Sequence, residues 1–469
     1  MARCSIVITS IVCATVLGAA AILSNAGPLD PPSGAVSSTY KTLTEVEPRI
    51  AINATNTPGD ADSLFKITQP GSYYLTGDIT GVSGRRGIEI ASSNVTIDLR
   101  GFALQGVGGS LQGIASQGSG HAGIVIRNGL VTGWGASGID LVVASNSSNS
   151  LVSEVILRGN TGYGIRTGLY SAVRGCIAAV NGQGGIAVSN GGTVEGCEAY
   201  GNTGTGIGAA FASSVLNCSV QNNGGDGITV GRGSSVAGCG AVSNGGAGFS
   251  TDISATFTGC SASNNTGAGF SAPFSCVITD CSAWSNLAPG FLAGSGVAIT
   301  NCSAYQNTGS GISAGSKSGV RGCTAGENSG PGIVATDGST VENCTVNDNS
   351  GAGINANNGC RIEGNMTRNN QQEGILVNFS CVVRDNNCNG DGAAAGLHGA
   401  IHVMGESNRI EGNHITYADV AMYLQAGGNT VVRNSLRGNT ATLNTVGGND
   451  LAPFTPASGA INPWANILN

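Results

Sequence analysis

Between residues 160 and 380 the chain repeats one short pattern of apolar and polar positions without an insertion. A glycine followed by a bulky apolar residue recurs at Gly164-Ile165, Gly185-Ile186, Gly206-Ile207, Gly227-Ile228, Gly248-Phe249 and onward to Gly374-Ile375, every step being 21 residues. A cysteine column keeps that step from Cys176 to Cys344, and an asparagine column keeps it from Asn160 to Asn370. The unit, G-I-x5-S-x-V-x-G-C-x-A-x2-N-x-G-x, sets short alternating runs between Gly and Asn, the pattern of half-buried strands joined by turns. It lacks the leucine framework of leucine-rich repeats. Stacked in parallel, equivalent side chains lie about 4.8 Å apart, so the stretch from Gly164 to Gly374 rises by roughly 50 Å.

Alternation points Ile165, Val173, Cys176 and Ala178, with their equivalents, inward, and Arg174, Ile177 and Ala179, with theirs, outward. The asparagine column is expected to form a ladder, each side-chain amide donating to the carbonyl of the asparagine in the next coil. Asparagine also tolerates the left-handed backbone of a sharp turn. The fold class expected is all-β, a single right-handed parallel β-helix with about 21 residues per coil, capped at both ends.

The ends differ in composition. Residues 1–26 read as a signal peptide, with Arg3 ahead of an apolar run from Ile6 to Leu23 and small residues at Ser24-Asn25-Ala26; an uncleaved anchor is the alternative. Residues 27–39, rich in Pro and Ser, read as a linker, 40–86 as an N-terminal cap, 87–440 as the β-helix and 441–469 as a C-terminal cap or tail. The first coils, at Gly87-Ile88, Gly113-Ile114, Gly123-Ile124 and Gly138-Ile139, are less regularly spaced. The expected location is therefore secreted, at the cell surface or periplasmic, with no transmembrane segment after cleavage.

Composition narrows the function. With 78 Gly, 10% charged residues and a net charge of −7, the chain has no basic footprint for neutralising phosphates, so nucleic acid is excluded as a partner. Of fifteen cysteines, Cys4 and Cys13 leave with the leader and thirteen remain. An extracellular compartment permits disulfides, but parallel Cβ vectors in neighbouring coils are poorly placed for them. The thiols are read as buried small hydrophobes. Metal binding is the sharper alternative, and no CxxC or Cys/His cluster accompanies it.

The 21-residue ladder resembles the secreted right-handed parallel β-helix repeat proteins of the pectate-lyase-like superfamily. Phe65-Lys66-Ile67 through Gly77-Asp78-Ile79, Asn94-Val95-Thr96-Ile97-Asp98-Leu99 and Asn462-Pro463-Trp464-Ala465-Asn466 resemble the opening and closing segments of an uncharacterised bacterial group within it. The superfamily includes pectate and alginate lyases, polygalacturonases, uronan epimerases, tailspikes and adhesins, so the resemblance implies a fold and not an activity. Polygalacturonase-like sites need an Asp-Asp pair with Gly-His-Gly and Arg-Ile-Lys; Gly120-His121-Ala122-Gly123 only comes near, and Asp-Asp is absent. The Arg-x-Pro-x-x-Arg run of pectate-lyase-like sites is absent too.

Candidate chemistry lies where outward columns depart from small residues. Gln306, Glu327, Asp348 and Asn369 share one column, which stacks Glu327 on Asp348. A solvated pair is the plainer reading, and a bridging calcium ion with the flanking amides as further oxygen ligands is the alternative. In a second column, Arg321, Glu342, Glu363 and Arg384 read as a surface ion-pair ladder. Alternatively the arginines grip uronate carboxylates while Glu342 or Glu363 carries a proton. Trp284 and Tyr305 are adjacent outward aromatics, with Tyr200 further along and Arg368 beyond the acidic pair, an arrangement on which sugar rings can stack. His398, His402, Glu406, Glu411 and His414 form a weaker group, because a His-x3-His spacing ligates a metal only on a helix. The leading reading is a secreted β-helix that binds polysaccharide or cell-surface glycan, or serves as a cell-surface scaffold, without a readable catalytic site. A polysaccharide lyase, hydrolase or epimerase acting on acidic glycans is the alternative. Delivery of copper or another metal, as in some periplasmic β-helix proteins, is a third reading that rests on compartment and fold.

Overall fold

The computed structural model describes residues 47–118, 120–142, 148–392, 398–459 and 461–468. The expected signal peptide (1–26), the linker (27–39) and residues 40–46 lie outside them. From Arg49 onward the described chain is one unit, a parallel solenoid with about 21 residues per turn.

Each regular coil has three short strands. Ile165–Thr167, Ala172–Arg174 and Ile177–Ala179 make up one coil, and each pairs in parallel with its equivalent in the next: Ile165 with Ile186, Val173 with Val194, Ala178 with Ala199. Three ladders result, called first, second and third in that order. Inward side chains such as Ile165, Val173, Cys176 and Ala178 are fully buried. Stacked rings measure the rise: Phe249, Phe270 and Phe291 have centroids 4.7 and 4.9 Å apart, tilted by 9°. The recurrent glycine before each of these apolar residues has a steric cause. A Cβ on Gly164 would sit 2.6 Å from the carbonyl oxygen of Gly185, inside any allowed contact.

In this coil all three corners are built alike: a residue with left-handed backbone, then a small buried polar side chain. Tyr170 (φ 52°) precedes Ser171, Gly175 (φ 56°) precedes Cys176 and Val180 (φ 53°) precedes Asn181. The expected asparagine ladder is present. Asn181 Nδ2 donates to Asn202 Oδ1 at 2.9 Å, and the Asn181 backbone N–H donates to the same oxygen at 3.0 Å. Asn202 Nδ2 also donates to Ala178 O at 3.0 Å, so the amide is satisfied in full. One expectation is corrected. The ladder asparagines do not carry the left-handed turn; the residue before each of them does.

The cysteines copy this arrangement with weaker partners. Cys176 N–H donates to Cys197 Sγ at 3.4 Å, and the Cys197 thiol donates to Val173 O at 3.5 Å. At the first corner, the one that holds Ser171, Gly192 N–H donates to Ser213 Oγ at 3.2 Å. All thirteen described cysteines are free and buried. Neighbouring thiols and burial push Cys218 up, and burial alone does so at Cys276. Beyond Cys344 the column changes to Asn365, Asn386, Asn413, Asn434 and Asn466, linked by amide hydrogen bonds of 2.9 to 3.0 Å.

The solenoid extends past the limits expected for it. Ser63–Ile67 already pairs with Arg86–Ile90, and Gly71–Tyr74 with Val95–Asp98, so much of 40–86 belongs to the ladders. At the other end Ala441–Thr445 pairs with Val420–Leu424, and Asn466–Leu468 with Ser435–Arg437. The early coils are wider, Ile88, Ile114, Ile139 and Ile165 being successive partners, and fully buried Trp134 fills the extra space. Ala179, expected to face outward, is buried between Arg158 and Tyr200 of its ladder.

Candidate functional site

The outward end of the third ladder carries the aromatic pair. Trp284 and Tyr305 are register partners on consecutive coils, and Gly326, Asn347 and Arg368 continue the column. Trp284 is 48% exposed. Its indole N–H donates to Gln306 Oε1 at 3.0 Å, Gln306 Nε2 donates to Glu327 Oε2 at 3.0 Å, and the Tyr305 hydroxyl donates to Glu327 Oε1. The carboxylate beside it pushes the Tyr305 hydroxyl up. Tyr200 lies in the same column four coils earlier and is half-buried.

Gln306, Glu327, Asp348 and Asn369 stand in the adjacent corner column, all with left-handed backbone (φ 53°, 52°, 58° and 52°). Such a conformation costs a non-glycine residue about 1 kcal/mol or more. Asp348 accepts from Asn369 Nδ2 at 3.3 Å and from Asn347 Nδ2 at 2.7 Å. Both oxygens of each carboxylate are thus engaged by neighbouring donors. Among the described residues no group of three His, Cys, Asp or Glu side chains is placed to hold a metal ion.

Arg321, Glu342, Glu363 and Arg384 are successive partners in the second ladder. Arg321 Nε lies 3.0 Å from Glu342, and Arg384 Nε donates to Glu363 at 2.8 Å. Arg361, which the sequence reading passed over, bridges the two acids, contacting Glu363 and lying 3.8 Å from Glu342. Arg384 first, and Arg361 after it, hold the Glu363 carboxyl below its ordinary value. The ladder continues to Glu411, clamped by Arg409 at 2.7 Å and Arg433 at 3.2 Å. The signal for the missed arginines was the tripeptide Arg-Ile-Glu at 361–363 and 409–411, because residues two apart on a strand share a face.

The weaker histidine group is divided by the fold. Glu411 belongs to the ion-pair ladder, while His414 is exposed in the third ladder. His398 and His402 instead meet Glu373, their Nδ1 atoms 2.9 and 3.0 Å from its Oε1. Burial acts to raise the Glu373 carboxyl, and the two imidazoles outweigh it, bringing it down to about 2. A carboxylate so held only accepts, so both Nδ1 atoms carry the proton. His402 is buried, stacks on Tyr423 at 4.6 Å and has no partner at Nε2.

One further cleft escaped the sequence reading. On the outer face of the first ladder, Tyr163 and Phe211 flank a shallow cavity of about 400 Å³ floored by Ala187 and Gly208, with Thr229 and Asp252 at its edge. Its signal was the fall from Arg166 to Ala187 and Gly208 in one outward column.

With these features the chain is a right-handed parallel β-helix protein. Residues 211–360 match the family described as right handed beta helix region, and 293–457 match the periplasmic copper-binding protein (NosD) family. The second match spans His398, His402 and His414, yet only two imidazoles converge, and both spend Nδ1 on Glu373. These residues do not make a complete copper centre. Comparison with curated proteins finds no match. Among solved structures, the chain is similar to the Azotobacter vinelandii mannuronan C-5 epimerase AlgE4 A-module (14% identity, covering 82% of this chain and 91% of that one, TM-score 0.21). Pectate lyase Pel9A is also similar (17% identity, 65% and 74% covered, TM-score 0.30), as is the Siphovirus 9NA tailspike receptor binding domain (11%, 92% and 75%, 0.29). No helix among the described residues is long and apolar enough to cross a membrane.

Proposed function

We propose that this protein works outside the cytoplasm and binds a linear glycan along the edge that runs from Trp284 to Arg368. The observation that carries the reading is the aromatic pair on consecutive coils, tied through Gln306 to Glu327. Exposed aromatics held in place lose little conformational freedom on binding. The coil step of about 4.8 Å is close to the length of one β-linked pyranose unit, so successive coils meet successive sugars. Gln306, Asn347 and Asn369 supply amides beside the rings, and Arg368 supplies a guanidinium. Glu342 and Glu363 are committed to ion pairs, which favours binding over proton transfer. With the Glu327 and Asp348 oxygens already engaged, binding needs no calcium, and a chelator leaves it unchanged.

A glycan array followed by titration of the hits tests this. The double variant Trp284→Ala, Tyr305→Ala is expected to weaken binding by tenfold or more, at about 1–3 kcal/mol per stacked ring. An array without a hit, or a hit whose affinity the double variant leaves intact, removes the proposal.

A further inference from the structure

The last coils carry a second concave feature, on a different ladder from the Trp284 edge. Arg409, Thr430 and Asp450 are successive register partners in the second ladder. The closing segment that ends in Asn462-Pro463-Trp464 folds beside them. Between the two lies a cavity of about 440 Å³ lined by Arg409, Thr430, Val432, Asp450, Asn462 and Trp464.

Its wall is fastened. The Arg433 guanidinium lies 4.0 Å from the Trp464 ring centroid, donates from Nε to Pro463 O at 3.3 Å and pairs with Glu411. Asn466, two residues on, ends the inner ladder by accepting from Asn434 Nδ2 at 3.0 Å. The segment is therefore clamped from outside by an arginine and from inside by an amide. Arg409 spends Nε on Glu411, leaving both Nη groups, and Asn462 Oδ1 accepts the Trp464 backbone N–H at 2.9 Å, leaving the Asn462 amide donors. Thr430 and Asp450, the next two rungs of the column that Arg409 begins, add a hydroxyl and a carboxylate.

We propose that this cavity binds one pyranose residue of a neutral sugar, its ring against Trp464 and its vicinal hydroxyls between Asp450 and Arg409. An aromatic wall beside a row of guanidinium, hydroxyl and carboxylate suits a ring that is apolar on its face and hydroxylated at its rim. An apolar ligand would strand the polar groups. An anionic sugar would meet Asp450 while the Arg409 charge is already matched by Glu411. The cavity sits where the solenoid ends, so it takes a single sugar or a chain terminus and not the middle of a polymer.

The test uses the full chain with methyl glucoside, galactoside, mannoside and N-acetylglucosaminide as probes, read by saturation-transfer NMR and calorimetric titration. At least one probe is expected to bind in the millimolar range. Asp450→Ala should weaken it by about tenfold, the loss of one charged hydrogen bond. Asp450→Asn, which keeps an acceptor in place, should recover part of that loss and guards against a folding artefact. Trp464→Ala should abolish binding, and Trp284→Ala should leave it unchanged, so this site and the glycan edge fail or stand separately. No binding by any probe, or binding that Asp450→Ala and Trp464→Ala both leave intact, overturns the proposal.

Discussion

Replacing Asp391 by asparagine should stabilise the protein, and only above acidic pH. Asp391 stands where the Asn160 to Asn370 ladder would have its next rung. Its Oδ1 accepts from both the backbone N–H and Nδ2 of Asn370 at 2.9 Å, and its Oδ2 accepts from Thr367 Oγ1 at 2.7 Å. It is 1% exposed. Burial raises its carboxyl from 3.8 to about 6 in spite of those bonds. A folded value above the unfolded one means that the contribution to stability is complete below about pH 4 and is lost as pH rises through about 6. A shift of about two units is worth about 3 kcal/mol. In Asp391→Asn, Oδ1 keeps both bonds from Asn370, and the new amide donates to Thr367, whose hydroxyl turns from donor to acceptor. The variant should gain about 2–3 kcal/mol near pH 8 and nothing near pH 4. The nearby Glu373 carboxyl is the same in both proteins, so its contribution cancels in the difference. Because long solenoids unfold locally, the assay is native-state hydrogen exchange over residues 365–415, with thermal unfolding across the same pH series. A gain independent of pH, or a loss near pH 8, would refute the reasoning.

Asn265→Ala, in the middle of the amide ladder, strands the Asn244 N–H and amide and the Ala241 carbonyl; a loss of about 3 kcal/mol is expected by denaturant unfolding, and less than about 1 kcal/mol would count against the ladder as a source of stability. None of the thirteen described thiols should react with an aromatic disulfide reagent in the native state, and all should react after denaturation; partial native reaction would show an open coil. Glu373→Gln should cost about 2 kcal/mol at neutral pH. The folded Glu373 value is depressed to about 2, so its contribution is present above the ordinary glutamate range and lost as pH falls towards 2; wild type and variant should converge in acid, and a constant gap in melting temperature would contradict the assignment.

What the sequence made legible follows from contact. Residues 21 apart touch, so a column of Asn160, Asn181 and Asn202, or of Ile165, Ile186 and Ile207, announces a stack, and its hydrogen bonds follow from side-chain chemistry alone. The same logic placed Trp284 on Tyr305 and Arg321 on Glu342. It fails wherever the step changes. Ile375 pairs with Ile401 across 26 residues, and that longer coil carries His398 and His402 to Glu373, a meeting no fixed period contains. It fails too where neighbours come from different columns, as Arg361 does when it reaches sideways between Glu342 and Glu363. The closing segment shows both limits together. Asn466 extends the column of Asn413 and Asn434 only because the chain after Asp450 leaves the coil and returns, and that excursion leaves Trp464 standing beside Arg409 and Asp450. A solenoid's sequence thus specifies its walls rung by rung, whereas its concave places arise at departures from the period, where residue spacing no longer measures distance.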